Sequence, residues 1–151
     1  MLDSAEGFSY YAFCDQDDVW KPEKLVTGVK AVRHQEELHG KNFPALWHSS
    51  LEFVTSSLEP MFVRRMDKRA ATLESFMLRL QGRGCAMVFN ARIRGLVLGA
   101  DGSGIVRTSH DIMAMAVTYA FGGESDVRAG GLRSLQAAQQ QHKPCSADIL
   151  A

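Results

Sequence analysis

The stretch Tyr10-Tyr11-Ala12-Phe13-Cys14-Asp15-Gln16-Asp17-Asp18-Val19-Trp20 sets an apolar run directly before three carboxylates. Carboxylates crowded this closely repel one another and raise each other's pKa unless a cation neutralises them. A hard divalent ion is the natural partner, because Mg2+ takes a carboxylate or two and completes its octahedron with waters and substrate phosphates. The alternative is an acidic turn that merely caps a helix starting near Pro22, since Asp and Pro are ordinary turn and helix-start residues. A second acidic candidate, Asp111, follows His110 and opens an apolar segment; there the competing role is that of an N-terminal Asp favoured by the helix dipole. Arg64, Arg65, Lys68 and Arg69 form the one dense basic cluster. It suits an anionic or lipid-linked partner at a membrane surface, but Asp67 dilutes it and a solvated helix face is the favoured reading.

These residues need elements to position them. Residues 8–14 read as a buried strand, aromatic-rich and apolar on both faces, ending where the acidic turn begins. A helix follows, with Pro22 in its first turn, Glu23 at its positive end, Leu25, Val29, Val32 and Leu38 on its apolar face, and Gly40 as its stop. Residues 45–48 and 51–55 are strand candidates, 72–80 a helix, and 85–89 a strand announced by Gly82 and Gly84. Asn90 suits the cap of a segment at 91–98, residues 99–104 are loop by composition, and 111–121 reads as a buried helix. Beyond Gly122 the pattern fades into glycines and the Gln-rich stretch 136–141, which offers little apolar surface to offset ordering entropy. The expected organisation is a domain over 1–125 and a frayed-helix or disordered tail over 126–151.

Asp15-Gln16-Asp17-Asp18-Val19-Trp20, with Pro22 and Lys24-Leu25 behind it, resembles the DxD region of family 2 glycosyltransferases, within that family the rhamnosyltransferase-like members. Three later stretches stand in the family's order: Trp47-His48-Ser49-Ser50-Leu51, Gly84-Cys85-Ala86-Met87-Val88-Phe89-Asn90, and His110-Asp111 with its apolar continuation to Phe121-Gly122. The resemblance implies an α/β protein with a partial GT-A (nucleotide-diphospho-sugar transferase) fold, a mixed sheet flanked by helices. It lacks the N-terminal units that bind the nucleotide base, and so the chain is expected to be a fragment. The resemblance also implies roles. Asp15 approaches the donor ribose, Asp17 and Asp15 hold Mg2+ or Mn2+ on the diphosphate, and Asp18 neighbours them. Trp20 walls the donor or covers the core edge, Gly84 and Cys85 bring backbone to the donor sugar, and Asp111 is the catalytic base. The implied reaction is metal-dependent, inverting transfer of a sugar, plausibly rhamnose, from a nucleotide-sugar donor to a polysaccharide or lipid-linked oligosaccharide acceptor. Two departures stand out: Leu80, Gln81, Gly82 and Arg83 precede Gly84 where the family commonly has Asn, and Ser50 stands where members often carry Asp. The family's basic C-terminal motif has only His142-Lys143 as a faint counterpart.

Two rival readings use the same residues. A DxDx[TV] pattern after an apolar strand also fits a haloacid-dehalogenase-like phosphatase, with Asp15 as nucleophile and Asp17 as acid/base, but it leaves Gly84-Cys85 and His110-Asp111 without roles. The other is a non-catalytic remnant, whose exposed strand edge would promote self-association. Composition is that of a globular domain, with 46% hydrophobic and 23% charged residues over 151 positions. Seventeen basic and seventeen acidic residues give zero formal charge, so nucleic acid is not an expected partner. Cys14, Cys85 and Cys145 are odd in number and widely spaced, which favours free thiols over disulfides or zinc. With no signal peptide and no apolar run long enough to span a bilayer, a cytoplasmic protein is expected, peripherally associated at most with the inner face of the cell membrane.

Overall fold

The computed structural model describes residues 7–16, 18–65, 83–101, 109–121, 124–127, 133–137 and 148–149. In chain order these form β1 (Tyr10–Cys14), β2 (Asp18–Trp20), α1 (Lys24–His39), β3 (Ala45–His48), β4 (Ser50–Val54) and β5 (Pro60–Arg64). A 3-10 turn (Gly84–Ala86), β6 (Met87–Asn90), α2 (Ala91–Asp101), α3 (His110–Ala120), β7 (Glu124–Val127), β8 (Arg133–Ala137) and β9 (Asp148–Ile149) follow. The chain is thus mixed α/β. One sheet has the order β7-β3-β6-β1-β9 and the other β2-β8-β4-β5. In the first, β6 runs antiparallel to both β1 and β3, so β1 and β3 point the same way with β6 between them, while β7 lies parallel to β3.

Both faces of that sheet are covered, which is why its strands carry apolar residues without polar alternation. Tyr11 and Phe13 of β1, Leu46 of β3, and Met87 and Phe89 of β6 pack on one side with Ile93 and Val97 of α2 and Ala114, Met115 and Val117 of α3. Ala12, Ala45, Trp47 and Val88 point to the other side and meet Ala31 and Val32 of α1. Asn90 ties the layers together. Its amide donates to Glu36 Oε1 at 2.9 Å and to the Phe43 carbonyl at 2.8 Å, while its Oδ1 accepts from the amide of Ile93 at 3.3 Å, which makes it the cap expected for α2.

Helix α1 differs from the sequence expectation in its start and its buried face. It begins at Lys24, because Pro22 sits at the second position of a turn closed by the Lys24 amide and the Lys21 carbonyl at 3.0 Å. Leu25 and Leu38 are 44% and 64% exposed, and the buried face is Lys24, Gly28, Ala31, Val32 and Gln35. The reason is close approach: a Cβ on Gly28 would lie 2.5 Å from Val88 Cγ2 and 2.8 Å from Trp47 Cε3. Only glycine lets the helix axis come that near the sheet. Gly40 ends the helix as expected, at φ 91°, with its amide donating to the Glu36 carbonyl at 2.8 Å.

Elsewhere the strand candidates at 45–48 and 51–55 correspond to β3 and β4, and the strand at 85–89 becomes the 3-10 turn followed by β6. Helix α2 runs through Gly99 to Asp101, into the stretch expected as loop, and α3 covers the segment expected as a buried helix. Strand β5 is an addition, and it places Arg64 at a strand end with Arg65 exposed behind it, where a helix face was expected. Strands β7, β8 and β9 involve residues 124–127, 133–137 and 148–149, which reach into the tail expected to be frayed or disordered. The helix expected at 72–80 lies outside the described residues, as do Lys68, Arg69, His142 and Lys143. Among the described residues no helix is long and apolar enough to cross a membrane.

Candidate functional site

The C-terminal ends of β1 and β3 and the N-terminal end of β6 lie at the same edge of the first sheet, a consequence of β6 running against its two neighbours. The residues leaving those ends are Asp15, Ser49 and, just before β6, Gly84 and Cys85. The first turn of α3 joins them. The Gly84 amide donates to Asp111 Oδ2 at 3.2 Å, and Asp111 Oδ1 accepts from the Ile112 amide at 2.9 Å. Gly84 is the residue that permits this packing, since a Cβ there would stand 3.1 Å from Asp111 Cβ, 3.3 Å from His110 Nε2 and 3.4 Å from Phe13 Cδ2. His110 stacks at a tilt on Phe13, with ring centroids 4.4 Å apart, in the packing role expected for it.

On the other side of Cys85 stand the carboxylates. Ligand-capable atoms of Asp15, Asp18 and Cys85 all lie within 4.8 Å of one another. Cys85 is fully buried, and its thiol is held well above the ordinary range by burial and by the neighbouring Asp18, to which it hydrogen-bonds, and Asp15. It is therefore a neutral thiol, and of the three residues only Asp15 and Asp18 offer the hard oxygen donors that Mg2+ or Mn2+ prefers. Asp17, which the sequence assigns to the metal, lies outside the described residues. Asp18, expected only as a neighbour, is a member of the cluster.

Lys24 completes the group. It is 1% exposed, donates from Nζ to the Cys85 carbonyl, and stands over the Trp20 ring with Nζ 3.6 Å from the centroid. Burial lowers its pKa to about 8, against the opposing pull of the Asp18 and Asp15 carboxylates, so at neutral pH it remains an ammonium. Trp20 thus lies under Lys24 and packs against the Ala12–Val88 side of the core, in the core-edge role weighed for it. An ion pair, Lys21 Nζ to Glu52 Oε2 at 3.0 Å, fastens the end of β2 to β4.

His48 closes the edge from behind. Its Nδ1 donates to the Ser49 carbonyl at 2.7 Å and its Nε2 accepts the Arg83 amide at 3.2 Å, which fixes one tautomer of a neutral ring. Burial lowers its pKa to about 4. The Ser49 amide in turn donates to the Ala86 carbonyl at 2.9 Å, while Ser49 Oγ and Trp20 Nε1 are buried with no hydrogen-bond partner among the described residues.

The structure therefore brings Asp15, Asp18, Trp20, Gly84, Cys85 and Asp111 to one edge of the sheet. Sequence reasoning did not single out Lys24 or His48 as site members. The available signal was their place inside the two motifs, Lys24 in Pro22-Glu23-Lys24-Leu25 and His48 in Trp47-His48-Ser49-Ser50. Family models, curated proteins and solved structures were compared with the chain, and none matches it.

Proposed function

We propose that the chain carries part of the donor and base site of a family 2 glycosyltransferase with a partial GT-A fold. In this reading it takes part in metal-dependent, inverting transfer of a sugar from a nucleotide-sugar donor to a saccharide or lipid-linked acceptor. One observation carries the reading. Four segments far apart in sequence, around Asp15 and Asp18, Ser49, Gly84 and Cys85, and Asp111, meet at one edge of the sheet, and they are the four that bear the resemblance. An acidic turn that only capped α1 would have no reason to adjoin the other three. The unpartnered Trp20 Nε1 and Ser49 Oγ add support, because buried polar groups without partners are uncommon and a ligand can supply what they lack.

The reading assigns each residue a role. Asp15 and Asp18 would hold Mg2+ or Mn2+, which when bound supplies positive charge for the departing nucleoside diphosphate. Asp111 accepts the proton of the acceptor hydroxyl as that oxygen bonds to the anomeric carbon and the bond to the donor phosphate breaks on the opposite face. The Gly84 amide orients the Asp111 carboxylate for this task, and the absence of a side chain at Gly84 lets Asp111 pack that closely. Rhamnose as the sugar rests on the resemblance alone.

Calorimetry with Mn2+, alone and with UDP or dTDP, tests the reading. Mn2+ should bind more tightly when the nucleotide supplies oxygen ligands, and Asp15→Asn should weaken both interactions. Equal Mn2+ affinity in wild type and Asp15→Asn, with and without nucleotide, would overturn it.

A further inference from the structure

We propose that His48 is a positioning residue for Asp111: it clamps the turn before β6 so that the Gly84 amide is held out to the Asp111 carboxylate. The inference rests on reading Asp111 as the base of the site. The main-chain ladder between β3 and β6 reaches His48 opposite Met87, and the Ser49 amide, donating to the Ala86 carbonyl at 2.9 Å, extends it by one bond. Past that point the His48 side chain takes over. A neutral imidazole offers one donor and one acceptor. The Ser49 carbonyl can only accept, so Nδ1 carries the proton and Nε2 is left to accept the Arg83 amide at 3.2 Å. His48 is 1% exposed, and an apolar side chain would fill that space with no polar group to bury. What the imidazole adds is a hold on a backbone amide 35 positions away.

The next peptide bond carries that hold to Asp111. In a planar trans peptide the N–H points away from the carbonyl of the same unit. The unit joining Arg83 to Gly84 has its carbonyl bound by the Ala86 amide at 3.0 Å, and the nitrogen one residue earlier is fixed on His48. Its N–H is thereby aimed the other way, at Asp111 Oδ2, 3.2 Å from the Gly84 nitrogen. Asp111 Oδ1 is held by the Ile112 amide at 2.9 Å, so both carboxylate oxygens are oriented by backbone, and loss of the clamp would release one of them.

The test reads the Gly84 amide by NMR in the 15N-labelled chain without ligand. A hydrogen bond to a carboxylate moves an amide proton downfield and slows its exchange, so Asp111→Asn should shift the Gly84 proton upfield. His48→Leu should shift it the same way and speed its exchange about tenfold, the worth of about one hydrogen bond, with exchange across Met87–Phe89 unchanged. His48→Gln, which keeps an acceptor at the reach of Nε2, should restore both. If His48→Leu does not fold, wild type decides: the imidazole 15N shifts should place the proton of His48 on Nδ1, with a coupling across the hydrogen bond from Nε2 to the Arg83 nitrogen, and a proton on Nε2 overturns the clamp. A Gly84 amide unmoved in folded His48→Leu but moved in Asp111→Asn overturns the role of His48 and leaves the reading of the site standing. One unmoved by Asp111→Asn overturns the hydrogen bond and the positioning with it. The reading of the site has a separate arm, in which Mn2+ with UDP should broaden the Gly84 resonance of wild type. A resonance that stays sharp overturns that reading and leaves His48 with a purely structural clamp.

Discussion

His48 shows how one buried side chain turns site geometry into a pH response. Both ring nitrogens are engaged with backbone, one as donor to Ser49 and one as acceptor from Arg83, and burial lowers the pKa from 6.5 to about 4. Between those two values the unfolded chain binds a proton that the native ring refuses, so stability falls as pH falls through that window and is insensitive to His48 above it. The shift corresponds to about 3 kcal/mol at its limit. Urea denaturation at pH 7 and near pH 4 should therefore show His48→Gln losing less stability on acidification than wild type; an identical loss would mean that His48 titrates normally. Asp111 gives the matching prediction for chemistry. In a protein with measurable transfer, Asp111→Asn should lower turnover by about a hundredfold to ten-thousandfold while donor binding changes little. Near-normal turnover would remove Asp111 from the mechanism. Asp15, Asp18, Gly84, Cys85 and Asp111 were legible in the sequence because their types and order carry chemistry. Lys24 and His48 were not, because what makes them members of the site is burial against partners such as the Cys85 carbonyl, 61 positions away.

At the scale of the element, α1 is the instructive case. Its existence and its stop at Gly40 were readable, whereas of the apolar residues Leu25, Val29, Val32 and Leu38 only Val32 is buried, with Val29 packed against the core, and Leu25 and Leu38 are exposed. Periodicity counts apolar side chains, but this helix is docked through a glycine contact and through two polar residues, Lys24 and Gln35, that reach carbonyls of Cys85 and Leu46. A pair of glycine substitutions separates these effects. Gly95, exposed in α2, would meet nothing within 4 Å if given a Cβ, so Gly95→Ala should stabilise by about 0.4–1 kcal/mol through helix propensity and a less flexible unfolded chain. Gly28→Ala gains the same propensity but drives a methyl to 2.5 Å from Val88 and 2.8 Å from Trp47. Overpacking of that kind costs about 1–3 kcal/mol, and three atoms in the path put it at the upper end, above the propensity gain. Thermal or urea unfolding of the two variants should move in opposite directions. A stabilised Gly28→Ala would show that α1 stands further from the sheet than described.

Across the whole molecule, the strands of local origin were the easiest to read and the long-range pairings the hardest. The apolar run ending at Cys14 and the run after Gly84 each announce a strand, yet nothing in either says that they lie side by side, Tyr11 opposite Phe89. The sharpest instance is β8. Its five residues, Arg133–Ala137, have only Leu135 and Ala137 as apolar members, but they pair antiparallel with Asp18–Trp20 on one side and parallel with Ser50–Val54 on the other. Strand β2, which bears Asp18, is therefore held to β4 through β8, with the Lys21–Glu52 ion pair as an added tie. A chain ending after Val127 would keep β1, β3, β6, β7, α1, α2 and α3, and hence both apolar clusters that fill the faces of the first sheet. It would lose the strand between β2 and β4, and also β9, which pairs with Phe13 and Cys14 at the end of β1. The expected outcome is a folded core with a loosened site: far-ultraviolet circular dichroism and cooperative unfolding retained, amide hydrogen exchange across Asp18–Trp20 faster, and exchange across Met87–Phe89 of β6, which keeps both its neighbours, little changed. Local opening confined to one element has this signature, because exchange there no longer requires global unfolding. Unchanged protection of Asp18–Trp20 in the shortened chain would show that β2 is held by its connection to α1 rather than by β8. Loss of all protection would show instead that the second sheet is integral to the core.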